Sequence, residues 1–336
     1  MRNPRSKRLA GALAQPLRLP LIGAPMYIVG SKELVAAQCK AGVIGAFPSL
    51  NARPESDLTL WLDYIENEIA LWNGSKGNAA TPPWPAAPYA VNLIVHPSNP
   101  RLAHDLEVIC AHQAPIVITS LNAPGEAAAR IHQYGGVVFH DVSSMRHARK
   151  AIDAGVDGLI LVCAGAGGHT GNINPLAFTA EVRRIFDGPV ALAGCISDGR
   201  QLLAAQAMGA DYGYVGTRFI ASAEADAAPV YKDMIVASQA ADIVRSTAVT
   251  GLPANYLIKS FEALGIDVAS LPERQTSSFS FGKRGDGSEA KAWRDVWSAG
   301  QGVGGIDSVL PAAQIIERIA AEYHRALQQL QAAPHA

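Results

Sequence analysis

The sequence predicts a (β/α)8 TIM barrel with a smaller helical and irregular insertion after the eighth strand. Three observations carry this expectation: short apolar, β-branched runs alternate with helical patterns from the start, eight such runs occur, and several helical segments end in Ala-Gly or Met-Gly just before the next run. Strands separated by single helices imply right-handed βαβ units in a parallel sheet, and eight units is the count that closes a barrel. An open, doubly wound sheet is the main rival.

Taken in order, the expected strands are residues 19–26, 43–48, 89–96, 115–121, 136–143, 158–163, 189–196 and 212–220. Helical periodicity marks 32–41, 58–71, 101–112, 126–134, 145–154, 178–186 and 200–208 between them. At Ala41-Gly42, Ala154-Gly155 and Met208-Gly209 the glycine suits the left-handed cap that turns a helix back into the sheet. The alternation breaks between 222 and 299, where a helical stretch (227–240), a turn-rich Gly251-Leu252-Pro253 and a Ser/Gly-rich charged patch (275–288) follow one another. An amphipathic helix over 305–331 is expected to pack back on the barrel. The expected organisation is 1–222 for the barrel, 223–304 for a substrate-side extension and 305–336 for the C-terminal helix.

Composition removes several function classes. With 28 basic and 29 acidic residues the chain has a formal charge of −1, and its basic residues form no block beyond the cluster from Arg2 to Arg8, so nucleic acid is not an expected partner. Cys39, Cys110, Cys163 and Cys195 show no CxxC or CxxH spacing, which argues against a metal site and a disulfide framework. Gln15, Pro16 and Arg18 interrupt the apolar stretch that a signal peptide needs, and no long apolar run suggests a membrane span. A cytoplasmic protein with reduced thiols is expected.

The chemistry is read from the strand ends, because barrel enzymes carry their catalytic groups at the C-terminal face. Of nine histidines this filter keeps His96, His140 and His169, after or late in the third, fifth and sixth strands. His169 stands out because Ala164-Gly165-Ala166-Gly167-Gly168-His169-Thr170-Gly171 directly follows a strand and lets backbone approach a flat or anionic ligand. It also offers a group that titrates near neutral pH. The other reading is a surface loop with an incidental histidine. At the ends of strands seven and eight, Gly194 and Gly216-Thr217 present backbone donors where barrels keep a phosphate, unless these glycines only make turns. Gly300-Gln301-Gly302-Val303-Gly304-Gly305 matches GxGxxG but follows no expected strand, so it is not read as a dinucleotide fingerprint.

Five segments in this order resemble the nitronate monooxygenase (2-nitropropane dioxygenase) family: Gly23-Ala24-Pro25-Met26, Val91-Asn92-Leu93, Gly167-Gly168-His169, Ala193-Gly194-Cys195-Ile196 and Val215-Gly216-Thr217-Arg218-Phe219. The likeness covers roughly 19–225 and recurs at Ser298-Ala299-Gly300-Gln301. It implies FMN bound non-covalently, with Gly194, Gly216 and Thr217 at the phosphate. Ala24, Pro25, Met26, Asn92, His140, Asp141, Gly167, Gly168 and Gln301 complete the implied cofactor set, and His169 is the implied catalytic base. The chain departs from the family pattern in having Val162 and Gly165 where glutamine and glutamate often precede Gly-Gly-His, and His140-Asp141 where some members place a lysine. Residues 170–176 hold no histidine, although one branch has its base there. Those departures leave the substrate open. The resemblance implies oxidation of alkyl nitronates, and of nitroalkanes after proton loss, with dioxygen as co-substrate. The alternatives are an NAD(P)H-dependent FMN reductase of quinones or enoyl thioesters, and a flavin-free binding protein. A homodimer is left open.

Overall fold

The computed structural model describes residues 4–75, 84–273, 280–283, 289–291 and 294–332. Eight parallel strands form the central sheet: β1 (Leu21–Gly23), β2 (Gly45–Pro48), β3 (Tyr89–Ile94), β4 (Ile116–Ser120), β5 (Val137–Val142), β6 (Gly158–Val162), β7 (Val190–Ala193) and β8 (Tyr212–Val215). From β2 to β8 each strand pairs with its sequence neighbour, and β1 pairs with β8. A bridge between Ile22 and Ile44 closes the remaining seam, with the Gly23 amide donating to the Ile44 carbonyl at 2.7 Å. The open-sheet rival is thereby set aside.

Strand alternation divides the core. One face sends Ile22, Ala90, Ile118, Phe139, Ile160 and Ala191 into the lumen. The other sends Leu21, Val91, Val117, Leu159 and Leu192 against the surrounding helices. Those helices are α2 (Lys32–Lys40), α3 (Asp57–Gly74), α4 (Leu102–Ala111), α5 (Gly125–Gln133), α6 (Met145–Asp153), α7 (Pro175–Arg183) and α8 (Gly199–Ala207). The N-terminal α1 (Pro4–Ala12) closes the bottom, where Leu9, Ala12, Leu13 and Leu17 pack against the lumen cluster. Arg8 locks it there, its Nη2 2.5 Å from Oδ1 of the buried Asp157, whose Oδ2 meets His132 and the Val138 amide.

Two expected elements change character. The eighth strand stops at Val215, and Thr217–Ile220 turns into the short helix α9, although its β-branched and apolar residues read as more strand. The C-terminal helix begins only at Ala312, after Pro311; Gln301–Gly305 is a 3-10 turn. This last helix, α12 (Ala312–Ala332), packs against α8 and α2, and so fills the place of the eighth barrel helix. A Cβ at Gly199 would lie 2.1 Å from the Tyr323 amide, so the start of α8 touches α12 backbone to backbone.

The segment between α9 and α12 folds over the C-terminal face. It contains α10 (Pro229–Val236), β9 (Ile243–Ser246), β10 (Ala254–Leu257) and α11 (Ile258–Glu262), with Tyr231 stacked on Trp297 at 4.9 Å. The Ser/Gly-rich patch at 275–288 falls largely outside the described residues; within it 280–283 pairs with 289–291. Among the described residues, no helix is long and apolar enough to cross a membrane.

Candidate active site

Following the lumen face upward, alternation brings Asn92, Ser120, Asp141 and Tyr214 to the C-terminal end of the barrel. Asn92 Nδ2 donates to the Ile118 carbonyl at 3.0 Å and to Ser120 Oγ at 2.8 Å. Ser120 Oγ donates in turn to Asp141 Oδ2 at 2.6 Å. Asp141 Oδ1 is shielded from solvent and has no hydrogen-bond partner among the described residues. Burial pushes this carboxyl up to about 6, despite the opposing bond from Ser120. Across the lumen, burial and then the Asp141 charge raise the Tyr214 phenol well above its ordinary range.

The rim is assembled from four strand ends and the far segment 298–301. The Ala24 amide donates to the Val215 carbonyl at 2.8 Å, and a Cβ on Gly216 would approach only Ala24 and Met26, at 3.5 Å or more. A Cβ there would be in ordinary contact with these two side chains, without a clash. Gly194 takes a φ of +127°, which side chains rarely adopt, and its position faces the Ala164–Ala166 backbone. Thr217 Oγ1 accepts from the Gly300 amide at 2.9 Å, while the Gln301 amide donates to the Gly165 carbonyl at 2.9 Å. A Cβ on Gly167 would lie 2.8 Å from the Gly300 amide nitrogen, so these two glycines permit the contact that joins loop and segment.

His169 lies in a two-residue strand, Gly168–His169, that pairs with Ala254 and Asn255 of β10. Asn255 Nδ2 donates to the Ala166 carbonyl at 2.7 Å and clamps the same loop. The residue as a whole is exposed while its ring contact is partly buried, with Nε2 3.2 Å from Thr250 Oγ1. Thr250 Oγ1 in turn bonds the Leu252 carbonyl, which orients the ring. Desolvation lowers the His169 pKa, so the neutral, proton-accepting form prevails at neutral pH.

His140 departs from the expectation. It alternates with Phe139 and Asp141 and therefore points to the helix side of β5, where Nδ1 meets Thr119 Oγ1 at 2.8 Å. Burial drives its pKa down to about 4, as for a neutral core histidine. His96 is paired with Ser98 beyond β3. Gln301–Gly305 packs at the rim as a 3-10 turn and does not directly follow a strand of the barrel. Asp63, Glu66 and His112 come within metal-ligand reach on the helical layer, where Tyr89 and His112 already engage Glu66.

Several residues that shape the barrel mouth have little sequence signal. Ser120 and Tyr214 could be found by extending the period-2 pattern from Ile118 and Tyr212. Asn51 could not, because its role lies in the loop it holds. Its Nδ2 donates to the Met26 and Gly30 carbonyls at 2.9 and 2.8 Å, and its Oδ1 accepts from the Ile28 amide at 3.0 Å. Thr250 and Asn255 belong to the insertion and meet the sixth-strand loop only after folding.

A sequence profile described as nitronate monooxygenase matches residues 78–322. The chain belongs to the nitronate monooxygenase family. It is accordingly an oxidoreductase, in a family of flavin-dependent enzymes. A nitronate monooxygenase of Paraburkholderia phytofirmans is 26% identical over 358 aligned residues, covering 93% of this chain and 94% of that protein. Rv1533 of Mycobacterium tuberculosis is 35% identical over 154 residues, or 45% of this chain, and an octahydroindene-carboxyl-CoA dehydrogenase of Rhodococcus jostii is 28% identical over 238 residues, or 71%. The chain spans only 41% and 62% of the lengths of these two relatives. Among solved structures, FabK from Thermotoga maritima superposes with a TM-score of 0.73 at 26% identity, over 97% of this chain and 98% of that one.

Proposed function

We propose that this family member is an FMN-dependent nitronate monooxygenase that acts in the cytoplasm on alkyl nitronates, and on neutral nitroalkanes after removing their α-proton, with dioxygen as co-substrate. The observation that carries the reading is that His169, held by Thr250, and the glycines Gly194 and Gly216 all lie at the C-terminal strand ends of one barrel. The residues present fit FMN. Backbone at Gly194, Gly216 and Thr217 would take the phosphate, with Gln301 and Gly167 closing over it. Ala24, Pro25, Met26, Asn92 and Asp141 would surround the ring. When bound, FMN supplies the redox chemistry that no side chain here can. The chain itself aims it: His169 accepts the α-proton of a neutral substrate, Thr250 holds the imidazole, and the exposed Tyr27, Leu121 and Leu252 give an apolar rim.

A second reading is an NAD(P)H-dependent reductase of enoyl thioesters, favoured by the CoA-thioester name of the Rhodococcus relative. Both readings need the same cofactor, which is tested first. Acid release should yield FMN, and Gly216→Val should leave a folded protein that has lost most of it, because a side chain there would stand where the phosphate oxygens are assigned. Recovery of FAD, or full occupancy in the variant, refutes the phosphate assignment. Reduction of the flavin without oxygen by a nitronate, by NADH or by NADPH then separates the two reactions.

A further inference from the structure

The loop after β1 is held in a conformation that one of its own residues disfavours. Ile28 takes a φ of +70°. In that left-handed region a Cβ crowds the following carbonyl oxygen, and branching at Cβ makes the crowding worse. Among the described residues Gln113, Leu121 and Cys195 also lie there, and Ile28 alone of these non-glycines is β-branched. Such a residue persists only where its surroundings over-determine it.

Asn51 does so. Its Oδ1 accepts from the Ile28 amide at 3.0 Å, and both protons of its Nδ2 are donated, to the Met26 and Gly30 carbonyls at 2.9 and 2.8 Å. The Gly30 amide closes the turn on the Met26 carbonyl at 2.8 Å. A Cβ on Gly30 would lie 2.8 Å from that carbonyl oxygen and 3.4 Å from Asn51 Nδ2, so the turn wraps tightly round the side-chain amide. Asn51 is itself fixed from α4. It ends the 3-10 turn Ser49–Asn51, where the Ser49 carbonyl and that of the next residue, Ala52, accept from the Arg101 guanidinium at 3.2 and 2.6 Å. Arg101 pairs with the fully buried Asp105, which also accepts from the Ser49 hydroxyl at 2.7 Å.

The turn meets both the corner assigned to the cofactor and the segment that covers it. The Met26 side chain lies beside Gly216, 3.9 Å from where a Cβ there would stand. On the other side Ile28 and Val29 pack on the cluster of Tyr231, Leu257 and Ala299, and the Val29 carbonyl accepts from the Asp226 amide at 2.9 Å. We propose that Asn51 is a positioning residue for flavin binding: it keeps Ile28 left-handed, and the turn so held sets Met26 against the ring and seats the covering segment. This rests on the FMN reading above. Without the Asn51 bonds Ile28 returns to its preferred φ, and Met26 and Val29 move with it.

The test uses the full-length, flavin-loaded protein. In Asn51→Ala, hydrogen exchange over a peptide spanning residues 26–30 should be at least about tenfold faster, with exchange in α4 unchanged. Flavin release on dilution, followed by its fluorescence, should give a dissociation constant raised about five- to thirtyfold, the cost of one non-glycine residue in the left-handed region. Glycine takes a positive φ without strain, so adding Ile28→Gly to Asn51→Ala should recover at least about threefold of that loss. Adding Ile28→Ala, which removes nearly the same packing but keeps a Cβ, should leave the loss within about twofold. A general loss of stability would not distinguish the two. Asn51→Asp retains the acceptor for Ile28 and loses both donors, and it takes the place of Asn51→Ala should that variant not fold. Unchanged exchange, unchanged flavin affinity, or equal recovery by glycine and alanine at position 28 overturns the proposal. If the wild type holds no flavin, the cofactor reading and this inference fall together; if it holds flavin and the Asn51 variant holds it as tightly, this inference falls alone.

Discussion

Replacing His169 with asparagine should slow oxidation of neutral nitroalkanes by about a hundred- to ten-thousand-fold, the usual contribution of a positioned general base. Preformed nitronates have already lost the α-proton, so their turnover should change only a few-fold. Flavin content should stay near normal, since the imidazole is held by Thr250 and is not among the groups assigned to the phosphate. The pH profile has a definite sign. Desolvation lowers the His169 pKa, so kcat/KM for the neutral substrate should rise through a value below the ordinary imidazole range and be level at neutral pH. A loss below roughly tenfold on the nitroalkane removes the base assignment. An equal loss on both substrates makes His169 a binding residue.

The second large effect concerns stability. Arg8 ties α1 to the barrel bottom through Asp157, whose carboxylate is fully buried and also holds His132 and the Val138 amide. Arg8→Ala removes one partner of a buried pair and leaves the charge behind, which costs about 3 kcal/mol. Although burial opposes the charged form, the hydrogen bonds from His132, Arg8 and Val138 hold the Asp157 pKa below the ordinary carboxylate value. With a folded pKa below the unfolded one, that stabilisation is present above the unfolded carboxylate pKa and is lost as pH falls through the folded value. Urea denaturation of both proteins at pH 7 and in acid should therefore show a gap that narrows as Asp157 protonates. A gap independent of pH would mean that Arg8 acts through packing alone.

The barrel was legible because its signals are local. Each strand is a short apolar run, several turns into the next strand carry a glycine, and eight repeats leave few topologies. The errors arose where tertiary contacts decide. Thr217–Ile220 has strand-like residues but coils into α9 once β8 ends. The eighth barrel helix waits until Ala312, because the whole lid is inserted before it. At the site, the period-2 rule applied from Phe139 would have chosen Asp141 for the lumen and turned His140 outward. Residue type had drawn the eye to the histidine; geometry favours the carboxylate. The pairing of His169 with Ala254 was beyond local reading, since those residues are distant in sequence and the register between them has no short-range signature.

The most direct test of the proposed reaction is anaerobic stopped-flow mixing of the flavin-loaded protein with an alkyl nitronate, NADH and NADPH, each alone, followed by flavin absorbance. The account predicts that the nitronate bleaches the flavin within the turnover time, that neither nicotinamide does so, and that admitting dioxygen restores the colour. Rapid bleaching by NADH or NADPH with none by the nitronate would contradict it and assign the chain to the reductases of this scaffold.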